Sequence, residues 1–123
     1  MADEFTLTPA GGVRVTGATA QSLDQALEVL DYDEVDVLGG LTGVEGTTTG
    51  TTIRLLTGMQ KDTSDGWVVF VTFTAALLNG PNKYEVQNGS TKLLKYLRWE
   101  VTNLGGATAV TFTISGVLRK RGL

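Results

Sequence analysis

The sequence predicts an all-β protein with a single antiparallel β-sandwich or jelly-roll-like domain over residues 1–123. The chain contains 16 glycines, 19 threonines and 13 valines but only 2 prolines. Glycine and β-branched residues disfavour helix interiors, and β-branched residues favour strands. Several segments also alternate apolar and polar residues, with turn residues roughly every 8 to 12 positions. The length fits one domain with its own core.

The N-terminal third contains two segments whose structure the sequence leaves open. Residues 1–17 form either an arm that reaches a neighbouring molecule or an edge strand. In residues 22–31, leucines with helical spacing follow a candidate cap at Ser22, whereas Leu27 and Val29 suit a short strand. We expect the strand, because the remainder of the chain is β and a helix here would have only two or three turns.

Residues 32–38 are predicted to form a strand with a buried and a solvated face. Val35 and Val37 alternate with acidic residues, so the two valines are expected to lie in the core. Gly39 and Gly40 follow directly and are expected to form a bulge or bend, after which the chain continues extended as far as a threonine-glycine loop.

The middle of the chain predicts a hairpin. Residues 51–57 and 66–74 are strand-like, and the turn between them ends in Asp65-Gly66, a dipeptide that readily supplies a positive φ. Residues 66–74 are apolar on both faces, which is typical of a central strand. Trp67 is expected to point inward with the alternate apolar residues of this strand.

The C-terminal third predicts a second hairpin. Residues 96–102 and 110–117 both alternate, and a turn with a Gly-Gly pair separates them. Trp99 shares a face with two aliphatic residues of its strand, so we expect it in the core. Residues 75–92 are less regular and are expected to form a loop with a short edge strand over 83–86.

The charge is distributed unevenly along the chain. Residues 1–45 carry nine acids and one base, a net charge of −8, whereas residues 46–123 carry four acids and nine bases, a net charge of +5, and the two add to −3. The halves either lie on different faces, where they favour contacts between copies, or form neighbouring strands that neutralise each other.

The residue types exclude several kinds of chemistry. Cysteine and histidine are both absent, which excludes disulfides, thiolate nucleophiles, Cys/His zinc sites and Ser-His-Asp triads. Residues 31–36 contain four carboxylates, but Val35 stands where a calcium loop needs a third ligand. We therefore expect a solvated strand face there, and neither a metal, nor a cofactor, nor enzymatic activity.

Targeting and nucleic-acid signals are also weak. The acidic N-terminus has no apolar leader and no segment is long enough to span a membrane, so we expect synthesis in the cytoplasm without a membrane contact. Three basic residues at the C-terminus are a poor footprint for nucleic acid in a chain of low isoelectric point.

The order of the segments resembles that of small β-sandwich structural proteins of tailed bacteriophages. The segments that carry the resemblance are Leu27-Glu-Val29, Tyr32-Asp-Glu-Val-Asp-Val-Leu38, a Gly-Thr loop, Leu55-Leu-Thr-Gly-Met59, Asp65-Gly-Trp67, Tyr96-Leu-Arg-Trp99 and Thr111-Phe-Thr-Ile-Ser115. They are spread over about residues 27–119, which is most of the chain, while residues 75–92 align with nothing.

The resemblance implies a non-enzymatic virion protein, expected on the capsid surface as a decoration, cement or minor capsid protein, with a tail or head-tail joining component as the alternative. It implies the major capsid protein or other virion proteins as partners, and a homo-oligomer such as a trimer around a capsid symmetry axis. Charged side chains early and late in the chain are the candidate partner contacts: Asp33, Glu34, Asp36, Arg119, Lys120 and Arg121. A hypothesis of another class is a glycan-binding module that uses Tyr84 and Tyr96.

Overall fold

The computed structural model describes residues 2–89 and 93–120. These residues form strands joined by turns, with a single 3₁₀ turn among the described residues. In chain order the elements are β1 (Ala2–Thr6), β2 (Val13–Val15), β3 (Thr19–Ala20), the 3₁₀ turn (Leu23–Gln25), β4 (Leu27–Glu28), β5 (Glu34–Glu45), β6 (Thr52–Gly58), β7 (Val68–Thr72), β8 (Lys83–Gly89), β9 (Tyr96–Asn103) and β10 (Ala109–Arg119).

The strands form two sheets that pack face to face. Sheet A has the order β1-β10-β5-β8, and β2 also pairs with β10. Sheet B has the order β3-β9-β6-β7, and β4 also pairs with β9. All of these pairs are antiparallel. The prediction of an all-β antiparallel sandwich is confirmed.

The core lies between the sheets and is built from the alternate residues that the sequence indicated. Val35 and Val37 of β5 are buried, as is Trp99 of β9. The rings of Trp99 and Phe112 meet across the interior at 4.9 Å between centroids and nearly at right angles. The predicted inward face of β5, with Val35 and Val37, and the predicted core position of Trp99 are therefore confirmed.

The predicted hairpin between residues 96–102 and 110–117 is wrong, although both segments are strands. β9 belongs to sheet B and β10 to sheet A, so the connection crosses from one sheet to the other. Leu104 is buried in this connection, and Gly105 has a φ of +68°. The apolar faces of the two strands consequently pack against each other across the core, and the strands are not neighbours in one sheet.

The middle hairpin of β6 and β7 is confirmed, but β7 is an edge strand and not a central one. It pairs with β6 alone among the described strands, and Val68 and Val69 are 49% and 47% exposed. Leu55 lies opposite Val71, whereas the next residue of β6 lies opposite Val69. Phe70 is thus an extra residue in β7, and it forms a bulge.

The bulge explains why Trp67 does not point inward. A one-residue insertion reverses the faces of all residues before it. Val71 and Phe73, which follow the bulge, are buried in the core. Trp67, which precedes it, is partly exposed and stacks on Arg98 of β9, on the outer side of sheet B. The prediction that Trp67 points inward is therefore wrong, although Val71 and Phe73 of the same predicted strand are buried.

Gly39 and Gly40 do not form the predicted bulge. They pair in unbroken register with β10, and the irregularity of β5 lies instead at Thr42, between the partners of Thr111 and Phe112. The two glycines allow close packing on both faces: a Cβ at Gly39 would lie 2.6 Å from the Phe73 ring, and one at Gly40 would overlap the ring of Tyr84.

The segments that the sequence left open are short strands and turns. Within residues 1–17, β1 and β2 both pair with β10. Residues 22–31 contain the 3₁₀ turn followed by β4, which is shorter than the predicted strand. Val29 is fully buried and Leu30 is 58% exposed, so the leucine spacing does not mark the core here. The predicted edge strand at 83–86 is present and extends to Gly89 as β8.

Candidate interaction surfaces

One end of sheet A brings together acidic and basic residues from the two ends of the chain. Asp36 of β5 and Arg119 of β10 form an ion pair, and Asn88 of β8 donates a hydrogen bond to the same carboxylate. These two donors stabilise the ionised form and hold the pKa of Asp36 below its usual value. Glu34 lies opposite Arg119 in the register, and the backbone N–H of Asp33 donates to the Arg119 carbonyl at 3.1 Å.

Four of the six predicted contact residues therefore lie at one end of sheet A: Asp33, Glu34, Asp36 and Arg119. Lys120 follows directly and is exposed. Arg121 lies outside the described residues. Because an acidic strand and the basic end of another strand are neighbours here, their charges offset each other within the chain. This is the second of the two charge arrangements that the sequence left open.

The outer face of sheet A carries an exposed apolar strip, defined here as Leu38, Tyr84 and Val86. Their exposed fractions are 42%, 48% and 62%. Leu38 and Val86 are direct cross-strand partners, and both line a shallow groove of about 590 Å³ that is bordered by Glu4 and Asp36. An apolar patch with a charged rim is typical of a surface that contacts another molecule.

The sequence contains a partial signal for this strip. Leu38 alternates with the core residues Val35 and Val37, so its outward direction was predictable. Tyr84 and Val86 share the same face of β8 by the period of two. That β8 lies beside β5, which places these side chains next to Leu38, depends on sheet order and had no local signal.

The outer face of sheet B is built around a buried arginine. Arg98 is only 9% exposed, and its guanidinium carbon lies 4.7 Å from the centroid of the Trp67 ring, within the range of a cation–π contact. Its Nη1 donates to the carbonyl of Gln21 at 2.9 Å, and Trp67 Nε1 donates to the carbonyl of Thr63 at 3.0 Å. The stacked side chains of Trp67 and Arg98 cover this part of the outer face of sheet B.

Tyr84 and Tyr96 do not form one binding platform. Tyr84 lies on the outer face of sheet A, whereas Tyr96 lies on the outer face of sheet B beside the ammonium groups of Lys61 and Lys95, at 5.8 and 5.4 Å from its ring centroid. The thickness of the sandwich separates the two rings. A glycan site that needs both would have to span the whole domain.

Within residues 2–89 and 93–120, no three or more acidic side chains are grouped so that they could hold a metal ion. The same residues contain no helix of the length and apolar character that crossing a membrane requires.

Comparisons with known proteins reveal similarity in structure alone. No protein-family model matches the sequence, and no curated protein matches it. Among solved structures, the SPBc2 prophage-derived protein YomS is 14% identical, with a TM-score of 0.51 over 96% of this chain and 92% of that one. The K2 cleaved adhesin domain of Lys-gingipain is 9% identical, with a TM-score of 0.56 over 94% and 99%. A mutant of a carbohydrate binding module of family 29 is 11% identical, with a TM-score of 0.44 over 96% and 92%.

At these identities the likeness establishes the fold and nothing further. The chain shares a β-sandwich fold with a prophage-derived protein and with an adhesin domain, and nearly the whole length of each chain is matched. The agreement with two complete domains supports the two-sheet architecture described above.

Proposed function

We propose that this chain is a non-enzymatic structural protein of a tailed-phage virion, a decoration, cement or minor capsid protein that stabilises the shell through many copies. The observation that carries the proposal is the apolar strip, which leaves Leu38 and Val86 exposed side by side on the outer face of sheet A, on the edge strand β8 and its neighbour β5. Exposure of apolar surface to water is unfavourable, so the free energy falls when a partner covers it.

Two further observations support this proposal. The charged end of sheet A borders the strip, so an apolar contact there would have a polar rim, as protein interfaces commonly do. The sandwich fold is also that of a prophage-derived protein. Many copies on one shell would convert weak single contacts into durable attachment. The partners would be the major capsid protein or other virion proteins, and the protein would be located on the capsid surface after assembly in the bacterial cytoplasm.

Binding to capsids tests the proposal. The purified chain is mixed with virus particles and with emptied capsids, the particles are sedimented, and negative-stain microscopy locates the chain on heads, on tails or on neither. We expect co-sedimentation with heads. The substitution Leu38→Lys should reduce binding, whereas Leu30→Lys, at a similarly exposed leucine outside the strip, should not.

Salt dependence tests the contribution of charge. Neutralising Asp33, Glu34 and Asp36 together should leave the fold intact but weaken attachment at low ionic strength, where surface charges are least screened. Attachment to tails would favour the tail or head-tail joining alternative. The chain could instead bind no part of the virion but bind a polysaccharide array, and lose that binding in Tyr84→Ala. This result would replace the proposal with glycan binding.

A further inference from the structure

The four lateral edges of the two sheets are not equally protected. An exposed edge strand can pair with another chain, and proteins block such edges with very short strands, bulges or charge. In sheet B, one edge consists of β3 and β4 with two residues each, and the other is β7 with its bulge at Phe70. In sheet A, one edge is divided between β1 and β2, and β1 carries Asp3 and Glu4.

The remaining edge is β8, which is neither short nor bulged and whose charged residues are Lys83, at its first position, and Glu85. It is seven residues long and pairs with β5 in unbroken register from Lys83 to Gly89. No described strand lies on its other side. Val86, at its centre, is the most exposed of the large apolar residues that the structure describes, at 62%. This edge is therefore a regular template for one further strand.

Glu85 is the buried charged residue of β8, and its hydrogen-bonding groups are already paired within the chain, whereas Lys83 is exposed at the strand end. It is 8% exposed, and both oxygens of its carboxylate accept the backbone N–H of Thr74 at 3.0 Å. Gln87 donates to the same carboxylate. An inward charge blocks an edge when it must reach water past it. Because Glu85 is held within the chain, it does not oppose an added strand.

We propose that the β8 edge pairs with the β8 edge of a second copy, antiparallel and around a two-fold axis that lies midway between the two copies of Val86. Cross-strand partners lie on the same face of a sheet, so the register must be centred on a residue that faces its own copy and not on a point between two successive residues. Centring on Val86 pairs the whole strand: Lys83 lies opposite Gly89, Tyr84 opposite Asn88, Glu85 opposite Gln87, and Val86 opposite Val86.

Other registers of the two β8 strands are less favourable, because they oppose like charges or pair fewer residues. Centring on Glu85 places two carboxylates opposite each other, which is unfavourable for like charges in direct cross-strand positions. Centring on Tyr84 or Gln87 shortens the paired segment. The register through Val86 has no like charges opposite one another, and it pairs two apolar side chains at the axis.

Pairing of the two β8 edges would extend the outer face of sheet A across both copies. The two copies of sheet A become one continuous sheet, and the two apolar strips meet at the axis into a single strip with Leu38 on each side of the central valines. An interface of this kind is isologous and closes as a dimer. It goes beyond the proposed function and does not depend on it, and it predicts two-fold pairing where the resemblance alone suggested a trimer.

Cysteine cross-linking tests the register, because the natural chain contains no cysteine. Val86→Cys should form a disulfide with itself under mild oxidation, since paired residues in an antiparallel sheet have Cα separations of about 4.5 to 5.5 Å, within the range that a disulfide needs. Tyr84→Cys should cross-link poorly with itself but readily when mixed with Asn88→Cys. Leu30→Cys, exposed and far from β8 in sequence, is the matched control.

Sedimentation equilibrium tests the dimer without cross-linking. The wild-type chain should show a concentration-dependent mass of two chains, and Val86→Lys should weaken dimerisation by about tenfold or more. A wild-type mass of one chain up to about 1 mM would overturn the proposal, as would equal cross-linking of Leu30→Cys and Val86→Cys. A dimer that fails to bind capsids would refute the proposed function and leave this inference intact.

Discussion

The packing of Trp99 makes a quantitative prediction about the core. Trp99 is 6% exposed and meets Phe112 edge to face at 4.9 Å. Burial of about 200 Å² of a tryptophan at about 25 cal/mol/Å² corresponds to about 5 kcal/mol as an upper bound. Truncations of buried aromatic residues to alanine cost about 3 to 5 kcal/mol. We therefore expect Trp99→Ala to lower the free energy of unfolding by about 4 kcal/mol.

The assay is urea unfolding followed by far-ultraviolet circular dichroism, because removing a tryptophan alters the fluorescence signal itself. Trp99→Phe should retain an aromatic contact with Phe112 and lose only about 1.5 kcal/mol. Trp67→Ala provides the matched comparison, since Trp67 is partly exposed on the outer face of sheet B. Its loss should be smaller, about 1 to 2 kcal/mol.

Two results would refute this account of the core. One is a loss below about 1 kcal/mol in Trp99→Ala, which would place the ring outside the packed interior. The other is a loss in Trp67→Ala as large as that in Trp99→Ala. Should Trp99→Ala fail to fold, the ranking of Trp99→Phe against the wild type still decides the question.

The other predictions concern the outer faces. Gly58→Ala should cost about 1 to 3 kcal/mol, because a Cβ there would lie 2.8 Å from the Trp67 ring. In a Trp67→Ala background the same substitution should cost almost nothing, and equal costs in both backgrounds would contradict the contact. The second prediction uses the lowered pKa of Asp36. The unfolded chain takes up a proton at a higher pH than the folded chain, so the stabilisation by Arg119 is complete above about pH 5 and is lost as the pH falls below about 4. The stability difference between wild type and Asp36→Asn, about 1 kcal/mol or less for an exposed pair, should therefore shrink between pH 5 and pH 3 in urea titrations. A difference independent of pH would argue against the ion pair.

Several features of the fold were predictable because they depend on neighbouring residues. The alternation of Val35 and Val37 with acids gave the inward face of β5, and the same pattern gave the core position of Trp99 in β9. A period of two is a property of the extended backbone itself, so it survives any choice of strand partner. The β6-β7 turn was predictable for a similar reason, since Asp65-Gly66 suits a positive φ wherever the strands lie.

Other features depended on partners far apart in the sequence. The Gly-Gly turn after β9 suits a hairpin and also suits a crossing between sheets, and only the packing of Trp99 against Phe112 decides between them. The bulge at Phe70 depends on how β7 aligns with β6, and it reverses the direction of Trp67. Neither choice is encoded within a single segment.

The sequence by itself determined that this protein is a β-sandwich without histidine or cysteine chemistry, because composition and alternation are local properties of the chain. The tertiary structure decided which strands are neighbours, and through them the surfaces. It placed Leu38 beside Val86, Asp36 beside Arg119 and β8 at an open edge. Cross-strand neighbours are chosen by the free energy of the whole packed sandwich, so the surfaces available to partners follow from the fold and from no single motif.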